Sequence, residues 1–408
     1  MKRVVVTGMA GISPIGQGWK AVKASLQAGA SGVTYMEAWE KYQGLETRLA
    51  APVEDFEKPA HYDRKRVRSM GRVSLMAVRA TELALEDAGL LHDPILTSGV
   101  VGVAYGSSAG TPAAMGEFGN MLLNHRTDGL NATSYIKMMA HTAAVNIGIF
   151  FGLCGRIYTT SSACTSGSQG IGYAYEAIRS GSQKLMVAGG AEELCATEAA
   201  VFDTLYATST RNQSPEKTPR PFDRNRDGLV IGEGAGTLIL EEYESAVDRG
   251  AKIYAEIVGF GTNSDGVHVT QPQSATMQLA LQQALMQAGI DCTEIGYVSA
   301  HGTATDRGDV AESHATFGAF GRPVPISSIK SYTGHTLGAC GALEAWAVIQ
   351  MMREGWFHPT INLDELDPDC AELDYINGDG RRIDTEYVMS NNFAFGGINT
   401  SLVFKRWP

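Results

Sequence analysis

Cys164 sits in a run of small and hydroxylated residues, Thr159-Thr160-Ser161-Ser162-Ala163-Cys164-Thr165-Ser166-Gly167-Ser168. A helical pattern follows through Ile171, Tyr173, Ala174 and Ala177. Small side chains let a strand turn sharply into a helix and leave a sulfur exposed. The helix N-terminus then favours thiolate over thiol, and the thiolate is the reactive form. A buried core cysteine is the ordinary alternative. Two histidine-bearing glycine loops tip the balance towards a nucleophile. Ser299-Ala300-His301-Gly302-Thr303-Ala304-Thr305-Asp306 follows the strand-like Ile295-Gly296-Tyr297-Val298. Lys330-Ser331-Tyr332-Thr333-Gly334-His335 follows the strand-like stretch from Val324 to Ile329. Two imidazoles aimed at one cysteine fit a nucleophile with two hydrogen-bonding or acid/base groups. The same trio also fits zinc. The three residues lie far apart in sequence, with no Cys-x-x-Cys or His-Glu-x-x-His spacing, so a site without metal is the expectation.

Strands alternating with helices must position these groups, so the fold class is α/β. Val4-Val5-Val6 opens the chain as a buried strand, not a signal peptide. Helical patterns cover Trp19 to Gln27 and Ser74 to Ala88, with strands at Gly99 to Ala104 and Lys184 to Ala188. A polar, proline-bearing surface loop runs from Ser209 to Asp223. Strand Thr237 to Glu241 and a helix to about Arg249 close a first half, residues 1–250. Residues 251–408 form a second half, opening with Ile253 to Val258 and ending in Val388 to Asn391 and Thr400 to Phe404. No linker separates the halves, so one rigid body is expected. Gly8 to Gly16 lacks the Gly-x-Gly-x-x-Gly register and reads as a structural loop. Gly189-Gly190-Ala191-Glu192-Glu193 reads as a strand-to-helix turn.

In five ordered motifs the chain resembles the decarboxylating Cys-His-His β-ketoacyl-acyl-carrier-protein synthases. These are Ala163-Cys164-Thr165-Ser166-Gly167, His301 to Thr305, Gly308-Asp309-Val310-Ala311-Glu312, Lys330 to His335, and Asn391-Asn392-Phe393-Ala394-Phe395-Gly396-Gly397-Ile398-Asn399. The resemblance spans the chain. It implies a thiolase-like, duplicated five-layer αβαβα fold. Cys164 would sit in the first half and both catalytic histidines in the second. It implies a Claisen condensation of an acyl-enzyme with malonyl carrier, releasing carbon dioxide, in fatty-acid-type elongation. Cys164 would be the nucleophile, with the N–H groups of Cys164 and Phe395 as oxyanion hole and Phe395 as gate. His301 and His335 would stabilise the enolate as neutral imidazoles. Lys330, Glu344, Asp309 and Glu312 would position them. Thr303 and Thr305 would bind phosphopantetheine, although loop-stabilising hydroxyls fit both equally. No bound cofactor or metal is implied; the substrates ride on an acyl carrier. A homodimer is implied, with a heterodimer with a related subunit left open.

Departures from the family pattern concern the substrate. Ala109 stands where relatives often place a bulky acyl-pocket residue, and Tyr206 where they are often basic. Ala394 and Ile398 replace the more usual Gly and Thr. These changes raise a specialised polyene or polyketide-like pathway as the alternative. An inactive chain-length partner would lack the Cys, a thiolase would carry a second Cys in the C-terminal loop, and an acyl-CoA-primed synthase would have Asn for His335.

The chain has 408 residues, 47 of them Gly, and a net charge of −11. That charge argues against nucleic acid as a partner, and no apolar run approaches membrane-spanning length. The six cysteines show no framework spacing, which suits a reducing cytoplasm. An acidic carrier needs a local basic patch on so acidic a protein. Arg64-Lys65-Arg66-Val67-Arg68-Ser69-Met70-Gly71-Arg72 supplies one, with Lys65, Arg68 and Arg72 on one helical face. A solvated helix face is the alternative. The resemblance implies carrier docking on this segment.

Overall fold

The computed structural model describes residues 1–408. The main strands are β1 (Val4–Ser13), β2 (Val101–Gly106), β3 (Ile157–Thr160), β4 (Leu185–Glu192), β5 (Gly234–Glu242), β6 (Ala255–Ser264), β7 (Ile295–Ser299), β8 (Pro325–Ser327), β9 (Asp374–Tyr375), β10 (Tyr387–Ala394) and β11 (Ile398–Arg406). The helices that matter here are α1 (Arg72–Asp87), α2 (Ser166–Arg179), α3 (Ala196–Asp203), α4 (Ser274–Ala288), α5 (Asp306–Phe320) and α6 (Cys340–Glu354).

The strands lie in the order β9-β8-β7-β10-β11-β6-β1-β5-β4-β2-β3. Setting aside the two-residue β9, each half repeats one pattern. In the first half the order from the edge inwards is third, second, fourth, fifth, first strand, and the second half reads the same. The pairings also match. The second strand is parallel to the third and fourth, and the remaining pairs are antiparallel. The halves join where β1 meets β6, Val4 opposite Ile257. Helices α2 and α6 touch each other and the strands of both halves, while α1 and α4 cover the outer faces. The result is the thiolase-like stack of helix, sheet, helix, sheet, helix. No helix is long and apolar enough to cross a membrane.

Glycine makes the central contact possible. A Cβ at Gly167 would lie 2.9 Å from both the Ala342 nitrogen and the Gly338 oxygen. One at Gly341 would lie 2.7 Å from the Ser168 nitrogen. Backbone therefore meets backbone where α2 and α6 begin, next to Cys164 and His335.

Two sequence expectations need correction. Gly8 to Gly16 is not a loop at its start, because β1 continues to Ser13. Its glycines admit close packing instead. A Cβ at Gly8 would sit 2.3 Å from the Ala84 oxygen, and one at Gly11 would strike Trp346. Likewise β4 continues through Glu192, because Gly190 lets the Gly338 carbonyl approach the strand.

The basic segment is not one helix. Arg64–Val67 forms a single turn capped by Asp63, and Arg72 opens α1 separately after Gly71. Arg72 is withdrawn as a docking residue. Its guanidinium is bound to Glu233 at 2.8 Å and to the carbonyls of Val53 and Phe56. Lys65 and Arg68 remain exposed.

Candidate active site

The turn into α2 carries strain at the residue before Cys164. Ala163 has φ 49°, in the left-handed region a side chain avoids. Cys164 follows in a single 3-10 turn, 3% exposed, at the foot of the cleft. His335 is placed by its backbone, which donates to Val230 and accepts from Gly232. Its Nε2 lies 2.9 Å from Cys164 Sγ. The His301 ring meets the His335 ring edge-on, centroids 5.1 Å apart. The loops after β7 and β8 thus bring both imidazoles to the sulfur.

Charge in the surrounding shell fixes the histidines. Lys330 and Glu344 form an ion pair and are each 1% exposed. Lys330 Nζ is 3.2 Å from His301 Nδ1. An ammonium has no lone pair to give, so His301 Nδ1 accepts and its proton lies on Nε2. Asn392 Nδ2 donates to Glu344 at 2.5 Å and lies 3.4 Å from His301 Nδ1. Burial, and next the Lys330 charge, hold both imidazoles well below the ordinary histidine value, so both are neutral.

The thiol departs from the sequence expectation. Burial pushes Cys164 up to about 11. The backbone N–H groups of Phe395 and Cys164 and the Lys330 charge oppose that rise but do not overcome it. A helix end cannot offset the loss of water around a fully buried sulfur. The resting group is a thiol beside a neutral imidazole, and this geometry can pass the thiol proton to His335 Nε2 and leave a thiolate.

Asp309 and Glu312 brace the His301 loop. Glu312 accepts the N–H groups of His301 and Gly302 at 2.6 and 2.7 Å. Asp309 accepts from Thr303 at 3.0 Å. Thr303 and Thr305 hydroxyls are 2.9 Å apart and line a cleft of about 600 Å³ that reaches Cys164 and both histidines. Phe395 hangs over this cleft, 37% exposed, between Ala394 and the left-handed Gly396. Ala109 is not in the cleft wall. The carbonyl of its neighbour Ser108 accepts from Ser161 Oγ, on the segment that leads to Cys164.

Sequence reasoning missed three contributors. Asn392 lay inside a motif already noted, but nothing local revealed that it bridges Glu344 and His301. Cys340 donates its thiol to the Cys164 carbonyl at 3.1 Å. Arg226, its side chain 2% exposed, reaches the Thr305 carbonyl and Asp367, and approaches Asp309. Its position in a polar surface stretch gave no sign of burial.

Cys164, His301 and His335 offer ligand atoms within 4.8 Å of one another, as do His301, Cys340 and Glu344. The buried Lys330 ammonium beside both sets disfavours a further cation there. Its own removal should be severe. Lys330→Met leaves buried Glu344 without its counter-charge, which costs about 3–5 kcal/mol. Urea unfolding checks this, and adding Glu344→Leu should restore most of the loss.

The model for "Beta-ketoacyl synthase, N-terminal domain" matches residues 1–246, and that for the C-terminal domain matches residues 254–364. A Vibrio harveyi 3-oxoacyl-[acyl-carrier-protein] synthase 2 is 39% identical over 99% of both chains. The crystal structure of a β-ketoacyl synthase from Burkholderia phymatum STM815 superposes with a TM-score of 0.99, at 60% identity over the full length of both chains. In the AntDE:AntF complex a type II polyketide acyl-carrier protein is bound to its ketosynthase. That chain matches with a TM-score of 0.88 and 31% identity over the full length of both.

Proposed function

The chain belongs to the β-ketoacyl synthase family and catalyses acyl-chain condensation, and on that premise we propose that Cys164, His301 and His335 carry out the reaction. The observation that carries this reading is the 2.9 Å contact of His335 Nε2 with the Cys164 sulfur, with His301 5.1 Å from His335 between ring centroids. His335 takes the thiol proton as the sulfur attacks the acyl-carrier thioester. The N–H groups of Cys164 and Phe395 hold the oxyanion, and the carrier thiol leaves with the proton. Malonyl carrier follows into the cleft, its arm against Thr303 and Thr305. Its thioester carbonyl accepts from His301 Nε2–H and from His335, whose proton moves from Nδ1 to Nε2 once the acylated sulfur has no proton to give. Carbon dioxide leaves, and the enolate attacks the acyl-Cys carbonyl. The thiolate is expelled and a 3-oxoacyl carrier results. Lys330, Glu344, Asp309 and Glu312 act through the histidines as positioning residues.

The Vibrio harveyi relative, 39% identical over 99% of both chains, is a 3-oxoacyl-[acyl-carrier-protein] synthase, which favours fatty-acid-type elongation over the specialised-pathway alternative. Purified protein given acyl and malonyl carriers in excess chelator should form 3-oxoacyl product. Activity lost on metal removal and regained with zinc would overturn the metal-free reading.

Exposed Lys65 and Arg68 have no ion-pair partner, which supports docking of an acidic carrier there. Lys65→Glu with Arg68→Glu should raise KM for carrier-bound substrates about tenfold and leave small thioester mimics unchanged. Added salt should weaken the wild type in the same way. Equal loss on both substrate types would make the patch structural. The edge strand β3 is exposed at Ile157, and Leu122 and Leu123 are also exposed, which supports self-association through that edge. Six unpaired cysteines support a cytoplasmic location.

A further inference from the structure

Glu198 is a buried acid that the mechanism leaves unused. It is 8% exposed, and neither carboxyl oxygen makes a well-formed hydrogen bond, the backbone N–H of Cys195 being the one donor close enough to favour its charged form. Asp203 on the same helix shows the contrast, since its carboxylate accepts from the Glu46 and Thr47 N–H groups and the Thr208 hydroxyl. On α3, Glu198 and Phe202 are four residues apart and share a face. Phe202 lines the cleft with Cys164, and its ring meets Phe395 edge-on at 5.9 Å. Ala196 and Ala199 of α3 pack in the same apolar cluster as Cys164. Glu198 is also near enough to feel the charge of Glu192. Glu192 in turn holds the loop before Ala109, at 3.0 Å from Ser107 Oγ and 2.8 Å from the Ser108 nitrogen. Glu198 therefore stands one helical turn from Phe202, on the helix whose Ala196 and Ala199 pack with Cys164.

A carboxyl left unpaired in such surroundings destabilises the protein unless a ligand satisfies it. Burial, and next the charge of Glu192, hold it well above the usual carboxylate range. Both effects favour the neutral form, which offers one O–H donor and one carbonyl acceptor. The cleft takes the carrier arm, so the acyl group on Cys164 needs other space. Phe202 and Phe395 line the cleft beside Cys164, and Phe202 is one helical turn from Glu198. We propose that Glu198 is a specificity residue that hydrogen-bonds an oxygen-bearing group, a hydroxyl or ketone, on the acyl chain held by Cys164. This rests on Cys164 being the acyl acceptor. A saturated chain leaves the carboxyl unpaired, whereas an oxygenated chain of equal length satisfies it. Sites built to hydrogen-bond a substrate discriminate strongly against analogues that lack the group.

The test uses decanoyl carriers, plain or bearing one hydroxyl or ketone at successive carbons. Acylation rates are read by intact mass for wild type, Glu198→Leu and Glu198→Gln. The wild type should favour at least one oxygenated chain over the plain one by about tenfold or more. Glu198→Leu should bring that ratio to about one and melt at a higher temperature. Glu198→Gln should keep part of the preference. Glu198→Met takes the place of Leu if the branched side chain does not fold. Identical ratios in the wild type and the apolar variants would overturn the proposal. A wild type that forms no adduct on Cys164 even with the plain chain would instead defeat the nucleophile reading on which it rests.

Discussion

Cys164→Ala protein should take up no acyl group and form no 3-oxoacyl product, with condensation below about one thousandth of wild type. Its fold should survive. Cys164 is buried among apolar side chains, and alanine fits the same short turn, so the stability change should stay near 1 kcal/mol. Cys164→Gln separates two steps. Its amide mimics an acyl group beside the histidines, so malonyl decarboxylation should continue while condensation stops. Normal condensation by Cys164→Ala or Cys164→Ser, measured as 3-oxoacyl product, would remove the nucleophile assignment.

His301→Ala and His335→Ala should each lower malonyl decarboxylation about 100-fold to 1000-fold, the effect of losing one donor to a developing oxyanion. Slow acylation of Cys164 should persist in both. It should be slower in His335→Ala, where the buried thiol loses its proton acceptor. The pH response gives a second reading. Both histidines are held well below their ordinary value by burial and the Lys330 charge. Protonation, which removes the lone pair His335 needs, therefore sets in only below that depressed value. Acylation of Cys164 by a small acyl thioester, which needs that lone pair, should stay flat from about pH 8 to about pH 6, where an ordinary imidazole would already be titrating. A midpoint near 6.5 would show that the imidazoles are not shielded in this way.

Much of this was legible in the sequence because the chemistry sits in short local motifs. Cys164, His301 and His335 each lie in the glycine-bearing segment that follows a short strand, and such a segment can present a side chain. Strand and helix order was readable from apolar runs. The equivalence of the halves was not, since it lies in strand order and pairing with no matching residues to reveal it. Gly8 and Gly11 misled because glycine in a strand signals close packing as well as turns. The Arg64 to Arg72 segment misled because Gly71 breaks it and Glu233 claims Arg72 from 161 residues away. The thiol was read as pre-ionised because a helix end is visible in sequence and desolvation is not. Glu198 and Asn392 were silent for the same reason: their meaning lies in what surrounds them.

Peptide mapping by mass spectrometry tests the central claim most directly. Protein in chelator is first given an acyl carrier, and the adduct is located; malonyl carrier is then added. The adduct should lie on Cys164 and disappear as an equal amount of 3-oxoacyl carrier forms. An adduct on Cys340, or one on Cys164 that persists while product accumulates, would contradict it.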